Sequence, residues 1–202
     1  MPALTPLEEI DLVLASTSRY RHELLARIAP RIRQIAPELD ETPLPQESPH
    51  DLARRLALNK ARAVARQCPG ALVIGSDQVA ALGAMILGKP GTVENARQQL
   101  AACSGHEVVF NTAICLIDAR SEPARSTIAL DTTRVVFRTL TTTEIARYVG
   151  REPPLDCAGS FKAEGLGIAL FERIDSQDPT ALIGLPLIAL CRLLREAGVA
   201  IV

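Results

Sequence analysis

The chain has 202 residues, enough for one sizeable domain or for one domain of two lobes. Hydrophobic residues make up 48% of it, so a core needs no disulfides; with aromatics at 3% and Trp absent, Leu, Ala, Val and Ile must fill that core. A formal net charge of −1 with no basic block argues against non-specific nucleic-acid binding, while a small anionic substrate remains open because a few focused cations need no net positive charge.

In chain order, Leu12-Val13-Leu14-Ala15 is a short apolar run ending in Ser16-Thr17-Ser18, and an amphipathic stretch with Leu24, Leu25 and Ile28 on one face follows. This predicts strand, polar turn, helix. Ser48-Pro49 predicts the start of a second helix, Ser48 as N-cap and Pro49 at the first helical position, with Leu52, Leu56, Ala63 and Val64 as its stripe and Pro69-Gly70 as its stop. Residues 71–75 predict a buried strand that delivers Ser76-Asp77-Gln78 at its end; Gly83 predicts a hairpin turn, and Thr92 caps a third helix running to about Cys103. Two β-rich segments, about 106–118 and 126–138, suggest a hairpin or meander. Thr141 and Glu144 form a capping box for a short helix. A Gly-rich loop over 156–167, a strand over about 168–173 and a last helix from near Pro186 to before Gly198 complete the pattern. Strands and helices alternate with meander-like strands in the middle, which favours α/β or α+β with a mixed sheet.

Five cysteines (Cys68, Cys103, Cys115, Cys157, Cys191) are odd in number, widely spaced and without a CxxC pair, so they read as small buried hydrophobes rather than a disulfide or zinc framework. Glu8, Glu9 and Asp11 replace the basic region of a secretory signal, and the most apolar stretch, 181–191, is too short to span a bilayer and contains Gly184 and Pro186. A cytoplasmic protein with no membrane partner is expected.

Several short segments carry possible chemistry. Ser16, Ser18, Arg19 and Arg21 sit where a strand hands over to a helix, a place suited to an anion, and Arg can grip phosphate oxygens through two parallel hydrogen bonds; an ordinary Ser N-cap with solvated arginines is the plain alternative. Asp77 after a buried strand can hold Mg²⁺ or Mn²⁺ or take a proton from water, or simply occupy a turn. Lys89 lies in Gly88-Lys89-Pro90, which is not a Walker A loop, and Lys60 lies on a helix, where most lysines are solvated. Glu38, Asp40 and Glu41 form an acidic stretch able to supply a second metal ligand, or a solvated loop. Lys162 and Glu164 sit among three glycines and would point to one side if the segment is extended. His22, His50 and His106 lack metal-ligand or triad spacing, which disfavours a Ser–His hydrolase.

Taken together and in this order, these segments resemble the Maf family of nucleotide pyrophosphatases. The matching pieces are Leu14-Ala15-Ser16-Thr17-Ser18 with Arg21, Pro37-Glu38-Leu39-Asp40-Glu41, Lys60-Ala61, Gly75-Ser76-Asp77-Gln78-Val79, Gly88-Lys89-Pro90, Ser104-Gly105-His106, residues 156–167 and Ile183-Gly184-Leu185-Pro186. The resemblance implies a Maf/ITPase-like α/β fold: a single domain over residues 10–202, preceded by an extension of residues 1–9, with two lobes, an elongated mixed β-sheet flanked by helices, and a central cleft. It implies hydrolysis of a nucleoside triphosphate to the monophosphate and pyrophosphate, a divalent cation (Mg²⁺ or Mn²⁺) and a homodimer. Asp77 matches the family's proton acceptor and a metal ligand, Glu38 a second metal ligand, and Ser16, Ser18, Arg21, Lys60, Lys89 and Lys162 polar positions around the phosphates.

Gln78 and Glu164 resemble the branch that cleaves 7-methyl-GTP rather than the TTP/UTP branch. N7-methylation makes guanine a cation, so the Tyr20 face is a candidate stacking partner. A carboxylate such as Glu164 accepts from both guanine N1–H and N2–H, where thymine and uracil present carbonyls. Arg19 replaces the family's usual Pro, and Tyr20 the Trp frequent in this branch. Three alternatives stand beside this: a pyrimidine or broader house-cleaning pyrophosphatase, against which Gln78 and Glu164 speak; a nucleotide-binding regulator with little turnover, against which the full set of charged site residues speaks; and a structural dimer subunit, which predicts no nucleotide binding.

Overall fold

The computed structural model describes residues 4–202. In chain order its strands and helices are β1 (Thr5–Pro6), β2 (Leu12–Ala15), α1 (Arg19–Leu25), β3 (Arg33–Ile35), α2 (Pro49–Ala65), β4 (Leu72–Leu82), β5 (Met85–Leu87), α3 (Val93–Cys103), β6 (Glu107–Asp118), β7 (Arg125–Phe137), α4 (Thr142–Arg151), β8 (Phe171–Asp175), α5 (Leu187–Glu196) and β9 (Val199–Ala200). The main sheet runs β3-β2-β4-β6-β7-β8, with β5 paired to β4. β2 pairs in parallel with β3 and β4, whereas β4–β5 and β7–β8 are antiparallel, so the sheet is mixed. The chain divides into two compact units, one comprising the residues up to Asp77 with Thr112–Asp131 and Asp178–Val202, the other Gln78–Asn111 with Thr132–Gln177. β4, β6 and β7 each contribute residues to both.

The first unit has the aliphatic core that the composition calls for. Leu12, Leu14, Leu72, Ile74 and Ile114 from the strands pack with Leu24, Leu25, Leu190 and Leu194 from α1 and α5. β2 is buried along its whole length because it has a strand on either side. The described part of the amino-terminal extension belongs to this unit: Thr5 and Pro6 pair in parallel with Val199 and Ala200, and Leu7 is buried in the core.

The second unit gathers the chain's four phenylalanines. Phe110, Phe137, Phe161 and Phe171 pack edge to face with centroid separations from 4.7 to 5.6 Å. Four of the six aromatic residues are thus concentrated in one cluster, where the composition alone points to aliphatic packing throughout.

Helix starts follow the expected chemistry. Ser18, Ser48, Thr92 and Thr141 each accept a hydrogen bond from the backbone N–H three residues on, and Thr141 with Glu144 completes the capping box. Three expectations are corrected. β4 continues to Leu82, so Asp77 sits inside a strand rather than at its end. Residues 166–170 form 3-10 turns, which delays β8 to Phe171. Residues 162–165 make a turn closed by Gly165 N–H donating to the Lys162 carbonyl at 3.2 Å, so Lys162 and Glu164 do not alternate along an extended segment. Among the described residues no helix is long and apolar enough to cross a membrane. All five cysteines are free; Cys68, Cys103 and Cys115 are buried as expected, while Cys157 and Cys191 are partly exposed.

Candidate active site

The first unit brings Ser16, Ser18, Arg21, Lys60 and Asp77 together, and a glycine makes the approach of Lys60 to Asp77 possible. A Cβ on Gly75 would lie 2.2 Å from the Ala57 carbonyl oxygen and 2.6 Å from the Ala61 amide nitrogen, so only glycine lets α2 approach β4 this closely. Gly75 and Asp77 project to the same face of β4 because side chains alternate along a strand. α2 presents Leu52, Leu56, Lys60 and Val64 in steps of four on its buried side. Lys60 therefore stands in line with core leucines and reaches Asp77.

The result is a buried ion pair. Lys60 Nζ donates to Asp77 Oδ1 at 2.6 Å, with the two residues only 5% and 7% exposed. The same ammonium lies 2.9 Å from Glu41 Oε1. Burial pushes the Asp77 carboxyl above the ordinary carboxylate range; the nearby Lys60 and Arg21 charges and the Lys60 hydrogen bond oppose that push, and Glu41 adds to it.

Arg21 completes the cationic side. Its Nε donates to the Gly184 carbonyl at 2.8 Å, and its Nη1 donates to Ser16 Oγ at 3.4 Å. Burial lowers its pKa, opposed by the charges of Asp77 and Glu41; the guanidinium remains a cation at any ordinary pH. Ser16 Oγ also accepts from the Ser18 N–H at 3.1 Å, so the turn between β2 and α1 is closed by its own hydroxyls. On the opposite face of β4, Ser76 Oγ donates to the same Gly184 carbonyl at 3.0 Å. That loop is fastened to α5: Asp178 Oδ2 accepts from Ile188 N–H at 2.6 Å and Thr180 Oγ1 accepts from Leu187 N–H at 2.8 Å.

Glu38 lies exposed between β3 and α2, and of the acidic stretch it is Glu41 that meets Lys60. Tyr20 is half-buried at the start of α1, with the Arg19 guanidinium 4.8 Å above its ring centroid and Arg19 Nη2 donating to its hydroxyl at 3.1 Å. In the second unit Gln78 is half-buried on β4, Lys89 is exposed after β5, Lys162 is half-buried and Glu164 is exposed at the tip of its turn. Sequence reasoning did not single out Ser76 or the Gly184 carbonyl, because their role depends on a contact 108 residues apart.

Asp77 and Glu41 are the carboxylates of the first unit that could contribute oxygen ligands to a divalent cation. Asp77 and Glu41 both aim carboxylate oxygens at the Lys60 ammonium, and oxygen ligands are what Mg²⁺ and Mn²⁺ take. No group of three His, Cys, Asp or Glu side chains with metal-ligand spacing occurs among the described residues. A cation here would need to complete its coordination with substrate oxygens and water.

A family model described as "Maf-like protein" matches residues 11–197. A 7-methyl-GTP pyrophosphatase of Xanthomonas oryzae pv. oryzae (strain MAFF 311018) is 59% identical over 187 residues, 93% of this chain and 96% of its own length. A protein of the same description from Polaromonas sp. (strain JS666 / ATCC BAA-500) is 55% identical over 199 residues, 98% of this chain and 90% of its own length. Among solved structures, a Ham1 protein from Coxiella burnetii superposes with a TM-score of 0.55 at 18% identity, covering 93% of this chain and 99% of its own, and shows the same mixed α/β fold. With the ordered site residues, the family model and relatives above 50% identity along nearly the whole length, the chain belongs to the Maf-like protein family.

Proposed function

We propose that this protein hydrolyses the α–β phosphoanhydride of 7-methyl-GTP, giving 7-methyl-GMP and pyrophosphate, with Asp77 as proton acceptor. The observation that carries the reading is the buried Lys60–Asp77 pair beside Arg21 and the two serines; the substrate comes from the description shared by relatives at 55–59% identity. A water oxygen attacks the α-phosphorus, the bond from that phosphorus to the α–β bridging oxygen breaks, and pyrophosphate leaves. The water proton passes to Asp77, whose burial makes its carboxylate a better base than an exposed one.

The remaining residues bind and orient. Arg21 and Lys60, with Ser16 and Ser18, neutralise and hydrogen-bond phosphate oxygens. Lys89 and Lys162 are assigned to phosphate by their place in the family pattern, Lys162 to the leaving pyrophosphate. Tyr20, Gln78 and Glu164 are assigned to the base. Mg²⁺ or Mn²⁺ would be held by Asp77 with a carboxylate of the acidic stretch, Glu41 or Glu38, and when bound would offset charge on the phosphate oxygens. The protein is proposed to work in the cytoplasm, as a homodimer.

The test is pyrophosphate release from 7-methyl-GTP, GTP, TTP, UTP and CTP, with and without Mg²⁺ or Mn²⁺. Metal-dependent preference for 7-methyl-GTP is expected. Preference for TTP or UTP would keep the reaction and remove the base assignment, and no release from any of them would remove the activity.

A further inference from the structure

The Lys162–Gly165 turn is held by a helix that the family pattern does not place at the site. Phe161, just before the turn, is buried in the four-phenylalanine cluster. At the turn's first residue, Lys162 N–H donates to the Tyr148 hydroxyl oxygen at 3.0 Å. Just past its last, Leu166 N–H donates to Glu152 Oε2 at 2.8 Å. Tyr148 is on α4 and Glu152 is its C-cap, four residues on, so one side of one helix end terminates both backbone donors that flank the turn.

The glycines of the segment fit this arrangement. A Cβ on Gly165 would come within 2.2 Å of Glu152 Oε1, so the carboxylate rests against bare backbone. A Cβ on Gly167 would come within 2.3 Å of the Lys162 carbonyl oxygen, so the chain folds back on the turn itself. Burial keeps the Tyr148 phenol protonated well beyond its ordinary range, leaving it a neutral hydroxyl at working pH.

We propose that Tyr148 and Glu152 are positioning residues that fix the Lys162–Gly165 turn and thereby set how tightly and how selectively the nucleotide is held. This rests on the assignment of Lys162 to phosphate and Glu164 to the base under the proposed function. Neither Tyr148 nor Glu152 needs to touch substrate; each acts by fixing the backbone that carries Lys162 and Glu164.

The test uses the full chain with Tyr148→Phe, Glu152→Ala and Glu152→Gln, read by amide hydrogen exchange and by steady-state kinetics on 7-methyl-GTP and UTP. Faster exchange at Lys162 and Leu166 is expected in the first two variants. KM for 7-methyl-GTP is expected to rise about tenfold in Glu152→Ala and about fivefold in Tyr148→Phe, with kcat within about twofold, in line with the loss of one hydrogen bond to a charged or a neutral group. Preference over UTP should fall with it, and Glu152→Gln, which retains an acceptor, should restore most of the loss. Unchanged exchange would overturn the anchoring; faster exchange with wild-type KM and preference would overturn the positioning role. Should Glu152→Ala fail to fold, Tyr148→Phe decides alone, since it keeps the buried ring. A wild-type chain that cleaves none of the nucleotides removes the functional reading, while exchange still decides whether the two side chains fix the turn.

Discussion

Lys60 Nζ sits 2.6 Å from Asp77 Oδ1 inside the first unit, and the pair joins a helix to a strand beside Gly75, where α2 crosses close to β4. An ammonium that buried is costly unless a carboxylate meets it, and here two do. The same carboxylate is the proposed base, so its charge is held by the fold before any substrate arrives. Asp77→Asn preserves the shape and removes the proton acceptor. Turnover should fall by roughly 10²-fold or more, measured as pyrophosphate release, while circular dichroism confirms a folded chain. Near-normal turnover in a folded Asp77→Asn variant would end the role of Asp77 as base.

Gly75→Ala tests the geometry beneath that pair. The added methyl meets backbone atoms of Ala57 and Ala61 on α2, which have no side-chain freedom to yield. Helix and strand must then separate, moving Lys60 away from Asp77. Destabilisation of about 3 kcal/mol or more is expected from chemical denaturation, the size seen for severe overpacking. A variant as stable as wild type would show that α2 can shift at little cost.

Much of this was legible in the sequence, and the misses share a cause. The strand and helix order followed from apolar runs and caps such as Ser48-Pro49 and Thr141–Glu144, which are local signals. The family resemblance points to Lys60, and its place between Leu56 and Val64 in steps of four also marks it as a buried lysine that needs a partner. The 3-10 turns over 166–170 and the closed turn at 162–165 escaped detection because both depend on Glu152 and Tyr148 folding back from α4. β1, β3 and β9 carry too short a pattern to be read and form through pairing across intervening elements, whereas β5, equally short, is signalled by the hairpin turn at Gly83. Ser76 and Gly184 orient Arg21 only once the fold has brought them together.

The cysteines give a test of burial that does not depend on catalysis. Burial pushes the Cys103 and Cys115 thiols up to about 12, and both side chains are inaccessible. At pH 8 only about one in 10⁴ of each is thiolate, the nucleophilic form. Cys157, partly exposed, should alkylate first in the native protein, and Cys103 and Cys115 only after unfolding. Mass spectrometry after timed iodoacetamide treatment reads the order. Labelling of Cys103 or Cys115 as fast as Cys157 would mean that the sheet or α3 opens locally.

Arg19 and Tyr20 bear on the base preference. The Arg19 guanidinium stands 4.8 Å over the Tyr20 ring, so the aromatic face assigned to a cationic base already carries a cation from its own neighbour. An exposed contact of this kind contributes about 0.5–1 kcal/mol, enough to compete with, but not to block, a ligand that brings further contacts. Arg19→Ala should free the face and lower KM for 7-methyl-GTP by about two- to fivefold while leaving KM for GTP, whose base is neutral, much less changed. Tyr20→Ala should remove the difference between the two nucleotides. If Arg19→Ala instead raises KM for both to the same extent, Arg19 binds phosphate rather than covering the ring, and the base must be sought against Gln78 and Glu164 alone.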